Sequence, residues 1–237
     1  MFDKWRKYSY AAQKHQRNRL AHVALWILAI FILYSFISSF IIYSIVLEND
    51  TMQPGALPQD RFLVSKLGIG TLGNSHPSVL ARGRLVVVDQ KHLTSSNPLI
   101  IAADSLVRFF TAQRFTLPGQ NPERSLKRLI GFPGDEISMN EYVLRIKPRG
   151  EAYALTEFEL ANRPYDLTIP ALPELWSASL PLSGSMDPLI LLDDQCFLVS
   201  DDRSDTNDSR TWGATPLKSI TGIVLFRYWP PSRIGKP

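Results

Sequence analysis

Residues 21 to 47 (AHVALWILAIFILYSFISSFIIYSIVL) hold no Asp, Glu, Lys, Arg, Gly or Pro. As a helix rising about 1.5 Å per residue, this run is roughly 40 Å long, more than the roughly 30 Å hydrocarbon core of a bilayer. It outlasts the apolar core of a cleavable leader, and no small-x-small cleavage site follows it, so it predicts a retained anchor. Ahead of it, Lys4, Arg6, Lys7, Lys14, Arg17 and Arg19 stand against Asp3 alone. By the positive-inside rule the N-terminus is cytoplasmic and everything after Leu47 lies across the membrane. The expected organisation is a basic cytoplasmic tail (1–20), a single-pass anchor (21–47) and an extracytoplasmic domain (48–237).

Charge and cysteine usage narrow the function classes. Taking the six tail cations and Asp3 from the chain's 26 basic and 22 acidic residues leaves a remainder of net charge −1. Such a domain offers no nucleic-acid patch, and the basic tail instead suits anionic lipid headgroups. Cys196 is the only cysteine, which rules out an intramolecular disulfide and a zinc cluster. Its setting, Cys196-Phe197-Leu198-Val199, suits a small buried hydrophobe. His15, His22, His76 and His92 are scattered without metal spacing. The acidic run Asp201, Asp202, Asp205, Asp208 lacks the EF-hand spacing, central Gly and terminal Glu, so it reads as a solvated or ion-paired turn. Neither a metal nor a cofactor is expected.

All 17 prolines and 13 glycines come after residue 53, a shift that separates one helical anchor from a turn-rich domain. That domain's apolar runs are short and rich in β-branched and aromatic residues: 61–67, 83–90, 106–113, 126–130, 142–146, 195–200 and 222–229. Short strands between turn clusters predict a mostly-β fold, with no strong helical periodicity after residue 50. Residues 148–193, with six prolines, predict a loop-rich insertion.

Two side chains suggest chemistry. Thr51, in Asn49-Asp50-Thr51-Met52-Gln53-Pro54, lies four residues beyond Leu47. A hydroxyl tethered there suits reactions on chains emerging from the bilayer. A hydroxyl is a weak nucleophile until a neighbour takes its proton, and a lysine can do so only when neutral. Lys127 lies in Leu126-Lys127-Arg128-Leu129-Ile130. In a strand it would share a face with Leu129 and project opposite Leu126, Arg128 and Ile130. Alone, such a lysine reads as a snorkelling surface residue.

The joint pattern is more specific. Thr51-Met52-Gln53-Pro54 with 59–66 resembles the nucleophile box of bacterial type I signal peptidases, and 82–88 resembles their next strand. Residues 127–135 (KRLIGFPGD) are similar to the lysine box. Residues 200–213 (SDDRSDTNDSRTWG) are similar to the C-terminal box, and 222–230 continues it. The boxes occur in the family's order behind an anchor. This resemblance implies a membrane-bound endopeptidase on a signal-peptidase-like β fold, removing signal peptides from exported preproteins at the inner (cytoplasmic) membrane. Carried over residue by residue, it implies Thr51 as nucleophile, Lys127 as general base, and Asn49 and Met52 at the oxyanion and substrate. Thr206 would orient the lysine, with Asp208 and Arg210 pairing and Asp201 pairing with Arg128. Signal peptides and the bilayer are the implied partners, and the secretion translocon stays open as another.

Three departures accompany it. Thr51 replaces the family's serine, adding a methyl that stiffens χ1 and crowds the approach. Asn49 replaces a hydroxyl residue, though its amide N–H can still donate to an oxyanion. Ser200 and Asp202 replace a glycine and an asparagine in the last box. These changes keep open a catalytically silent paralogue that binds signal peptides or export partners. Ser183-Gly184-Ser185-Met186-Asp187-Pro188 is closer in letters to the nucleophile motif, making Ser185 the alternative nucleophile. It follows the lysine box, however, and lies far from the anchor in sequence. A self-cleaving repressor-type Ser–Lys protease is disfavoured by the anchor and by the missing DNA-binding module.

Overall fold

A computed structural model describes residues 10–66, 80–89, 98–111, 115, 117, 124–171 and 184–237. His76 and His92 lie outside them. The chain divides into two compact units, one formed by 1–41 with 96–117 and the other by 42–95 with 118–237.

In the first unit, helix α1 (Tyr10–Phe40) carries the apolar run and packs against helix α2 (Pro98–Phe110). Its segment Arg17–Ser38 is long and apolar enough to cross a membrane. The helix ends short of the expected boundary at Leu47, because Ile42–Val46 is strand β1. An uninterrupted apolar run fits helix or buried strand equally well, and the β-branched Ile42, Ile45 and Val46 favour the strand. Thr51 therefore follows the helix by eleven residues, up to about 40 Å of extended chain rather than about 14 Å. Helix α2 corrects the reading of 106–113 as a strand and of 48–237 as lacking helical periodicity. Pro98 suits its first position, where no intrahelical N–H bond is needed.

The second unit is mostly β, as the composition predicted. The expected runs become β2 (Arg61–Ser65), β3 (Arg84–Asp89), β4 (Arg124–Gly131), β6 (Val143–Lys147), β9 (Gln195–Val199) and β11 (Ile220–Trp229). Strand β5 (Glu136–Asn140), more polar in its alternation, and the two-residue β10 (Thr215–Pro216) went unread. Within the insertion lie β7 (Leu155–Thr156), the short helix α3 (Glu157–Leu160) and β8 (Met186–Ile190). Thr156 caps α3 in a reciprocal capping box with Glu159. The strands form two sheets. A seven-stranded antiparallel sheet runs β1-β2-β11-β3-β4-β9-β10, and a four-stranded sheet runs β7-β6-β5-β8.

Period-two alternation explains the core. On β3, Leu85 and Val87 join Tyr43, Met52, Phe62 and Leu126 on one side. Val86 and Val88 join Leu129, Cys196, Leu198 and Ile223 on the other. Both faces are covered, so Leu-Val-Val-Val is apolar throughout. A third cluster, including Ile130, Phe197 and Val199 with Ile137, Leu144 and Ile146, fills the space between the two sheets.

Gly131, at the end of β4, lies where that third cluster is tightest. A Cβ there would collide with Ile137 and lie 2.9 Å from the Cβ of Phe197. Gly131→Ala should destabilise the domain by about 1–3 kcal/mol, the usual range for overpacking. Denaturant unfolding of the detergent-solubilised chain measures this, and an unchanged midpoint would contradict the packing described.

Candidate active site

Strand β4 buries two adjacent cations, Lys127 at 1% exposure and Arg128 at 3%. Neither can stay there without polar partners, because an unpaired buried charge is costly. The segment leaving β9 supplies both. Lys127 Nζ donates to Ser200 Oγ at 2.7 Å and to Asp205 Oδ2 at 2.9 Å. Ser200 Oγ donates in turn to Asp205 Oδ2 at 2.6 Å, closing a three-membered cluster. The Trp212 ring lies 5.7 Å from Nζ, within cation–π range. Arg128 forms two bonds with Asp201, Nε to Oδ1 at 2.6 Å and Nη2 to Oδ2 at 2.5 Å, and stacks 3.8 Å over Tyr165. Its Nη1 donates to the Gly83 carbonyl at the start of β3.

The 200–210 loop is itself braced. Asp208 accepts from the Ser200 N–H at 2.9 Å and from Arg210 Nη2 at 2.8 Å, while Arg210 Nη1 donates to the Arg203 carbonyl at 2.9 Å. From the insertion, Thr168 N donates to the Asp201 carbonyl and Arg203 N to the Thr168 carbonyl. Arg203 and Glu157, both buried, pair at 2.5 Å. The Thr51 loop joins the same structure, since the Asp202 N–H donates to the Thr51 carbonyl at 3.0 Å. Thr51 Oγ1 donates to Asn49 Oδ1 at 3.0 Å. Burial works against ionisation of Asp205, yet the Ser200 hydroxyl, Lys127 and the Asn207 N–H hold its carboxyl below the ordinary value. Burial pushes the Asp201 carboxyl up, against the pull of Arg128.

A hydroxyl, a buried lysine and two buried Arg–Asp pairs thus converge on one loop. The sequence profile described as signal peptidase, peptidase S26, matches residues 20–229. This chain belongs to that family. Thylakoidal processing peptidase 1 of Arabidopsis thaliana is 39% identical over 55 residues, 23% of this chain and 16% of that protein. Probable signal peptidase I-1 of Synechocystis sp. is 30% identical over 113 residues, 47% and 45% of the two chains. Signal peptidase I of Leptolyngbya laminosa is 25% identical over 192 residues, 71% and 82%. The chain spans from 15% to 45% of the length of the thylakoidal and Synechocystis relatives.

Against the S26 pattern, the anticipated pairs Arg128–Asp201 and Arg210–Asp208 are in contact. The anticipated lysine partner is not Thr206, which is exposed and uses its carbonyl to accept from Thr211 Oγ1. The hydroxyl on Lys127 belongs to Ser200, a residue noted only as a departure from glycine. A side chain at that position starts directly after β9 and reaches Nζ at 2.7 Å, while the loop beyond it brings Asp205, not Thr206, to the same amine. Met52 is fully buried in the first core cluster, so it anchors the Thr51 loop instead of lining a surface for substrate. Ser185 is exposed beside β8 in the smaller sheet. No hydrogen bond joins Thr51 Oγ1 to Lys127 Nζ among the described residues; both side chains are engaged elsewhere. Glu157, Tyr165 and Thr168 carried no motif signal, and Asp205, though inside the last box, was given no role there. Only the acidity of the last box hinted that its carboxylates had buried cations to meet.

Because the folded Asp205 carboxyl sits below its ordinary value of 3.8, its contribution to stability is present above that value and lost as pH falls through the folded one. The gap in thermal midpoint between the native chain and Asp205→Asn should therefore narrow as pH drops below about 4. A gap that stays constant across that range would exclude the ionised pair.

Proposed function

We propose that this chain is a membrane-anchored signal peptidase in which Thr51 attacks the scissile carbonyl and Lys127 takes its proton. The observation that carries the reading is a buried amine, oriented by Ser200, on the same loop that binds the Thr51 carbonyl. The preprotein would lie extended beside β4, whose stretch Arg124–Lys127 runs past the pairing with β9 that begins at Arg128 and Val199.

In the reaction, the Thr51 side chain turns from Asn49 toward Nζ. Its oxygen bonds to the carbonyl carbon while the proton passes to neutral Lys127. The oxyanion is met by the Thr51 N–H and the Asn49 side-chain amide; one such donor contributes about 2.7–4 kcal/mol. Collapse breaks the C–N bond, and the leaving amine takes the proton back from Lys127. Lys127, neutral again, deprotonates a water that adds to the threonyl ester, and the proton passes to Thr51 Oγ1 as the ester C–O bond breaks, releasing the acid. The N-terminal tail lies on the cytoplasmic side against anionic lipid and the β domain on the far side of the inner membrane, where signal peptides emerge and the secretion translocon is a neighbour. No nucleic-acid partner enters this reading. Cleavage of a radiolabelled preprotein by proteoliposomes tests it. Lys127→Ala should abolish processing while the variant stays folded, and processing at the native rate would overturn the dyad.

One observation favours a second reading, the silent paralogue that binds signal peptides without cutting them. Lys127 Nζ already donates to Asp205 Oδ2 at 2.9 Å and to Ser200 Oγ at 2.7 Å, so the amine must leave an ion pair before it can take the Thr51 proton. If the ion pair with Asp205 is the brake, Asp205→Asn should raise processing at neutral pH by tenfold or more. An unchanged rate would show that Asp205 does not restrain the amine.

A further inference from the structure

We infer that the exposed face of helix α2 is a second membrane contact, lying in the lipid beside the spanning helix. This inference rests on the anchor of the proposed function, and on nothing in the peptide chemistry. Along α2, Leu99, Ala103, Leu106 and Phe110 are all exposed, the two ends at 77% and 73%. Their spacing of four, three and four residues gathers them within roughly 60° of arc at about 100° per residue. Ile100, also exposed, flanks the same stripe. Asp104, the helix's only acidic residue, is turned inward, where its carboxylate accepts the Leu117 N–H at 2.8 Å. Among its described side chains, the helix thus presents Leu99, Ile100, Leu106 and Phe110 outward and keeps its carboxylate within, the reverse of a helix that faces water.

The occupant follows from the neighbour that α2 packs against. That neighbour, in the same compact unit, is α1, whose Arg17–Ser38 segment is apolar and whose most apolar window has no buried residue within the protein. The α2 stripe therefore continues a surface that already requires lipid. Thirteen residues make a helix about 20 Å long, short of the roughly 30 Å hydrocarbon core, so α2 lies in the bilayer's outer region and does not cross it. Phe115, just beyond the helix, is likewise two-thirds exposed. The preceding strand and the lysine-bearing β4 are joined in sequence through this segment, which would give the catalytic domain a second tether to the membrane in addition to α1.

Site-directed nitroxide labels test this in the full chain reconstituted into phosphatidylcholine–phosphatidylglycerol vesicles. Cys196 needs no replacement, because it is fully buried and burial pushes its thiol up to about 12; the unsubstituted chain is the labelling blank. Leu99→Cys, Ala103→Cys, Leu106→Cys and Phe110→Cys are labelled one at a time. Collision with lipid-soluble oxygen should exceed collision with a water-soluble nickel chelate by severalfold at all four positions. Nickel-dominated collisions would overturn the inference in favour of an aqueous face. Protection from both reagents with spin–spin broadening would overturn it in favour of a second copy of this chain. Preprotein cleavage measured in the same vesicles separates the two readings. Oxygen-dominated labels without cleavage would leave the membrane contact standing and remove the peptidase, and cleavage with nickel-dominated labels would do the reverse.

Discussion

Two neighbouring cations on one buried strand govern this domain. Lys127 and Arg128 project to opposite sides of β4, and neither side offers water. Burying an ammonium and a guanidinium is tolerable only when carboxylates and hydroxyls surround them. The chain meets that demand with a single loop whose Ser200, Asp201 and Asp205 serve both cations. Removing one partner would strand a charge. For that reason the loop's conformation, the insertion that clamps it and the Thr51 segment tied to Asp202 behave as one structure.

The same electrostatics create the tension in the chemistry. In the proposed mechanism the base must be neutral, yet the group that makes Lys127 tolerable in the interior includes a carboxylate. Arg128 can be paired outright because it has no proton to exchange, and its bidentate match to Asp201 serves geometry alone. Lys127 must be held and also released. Ser200 is suited to both states, since a hydroxyl can accept from an ammonium or donate to an amine. Asp205 is suited to only one of them, which makes it the residue on which the two proposed readings divide.

Much of the arrangement was legible in residue order. Alternating apolar runs identified six strands, and the paired boxes around Lys127 and Asp201 identified two ion pairs. Where reading failed, the cause was physical. Ile42–Val46 looks the same whether it continues a helix through lipid or buries both faces in a sheet. The run 106–113 has a strand's composition, but its neighbours from Pro98 onward place Leu106 and Phe110 on one helical stripe with Leu99 and Ala103. Thr206 sat at the motif position for orienting the lysine, whereas the hydroxyl nearest in space came from Ser200, six residues earlier. Motif spacing carries chain order; it does not say which of several hydroxyls a folded loop turns inward.

By itself the sequence determined the apolar helix, the β character of the domain behind it and the residue types of a hydroxyl–lysine peptidase in family order. Those depend on periodicity and local chemistry, which are written along the chain. Only the tertiary structure decided which carboxylates meet which cations, where the anchor stops and the sheet begins, and that α2 turns its apolar stripe outward. Each of those is a choice among neighbours brought together from distant positions, settled by the cost of burying charge and of exposing hydrocarbon.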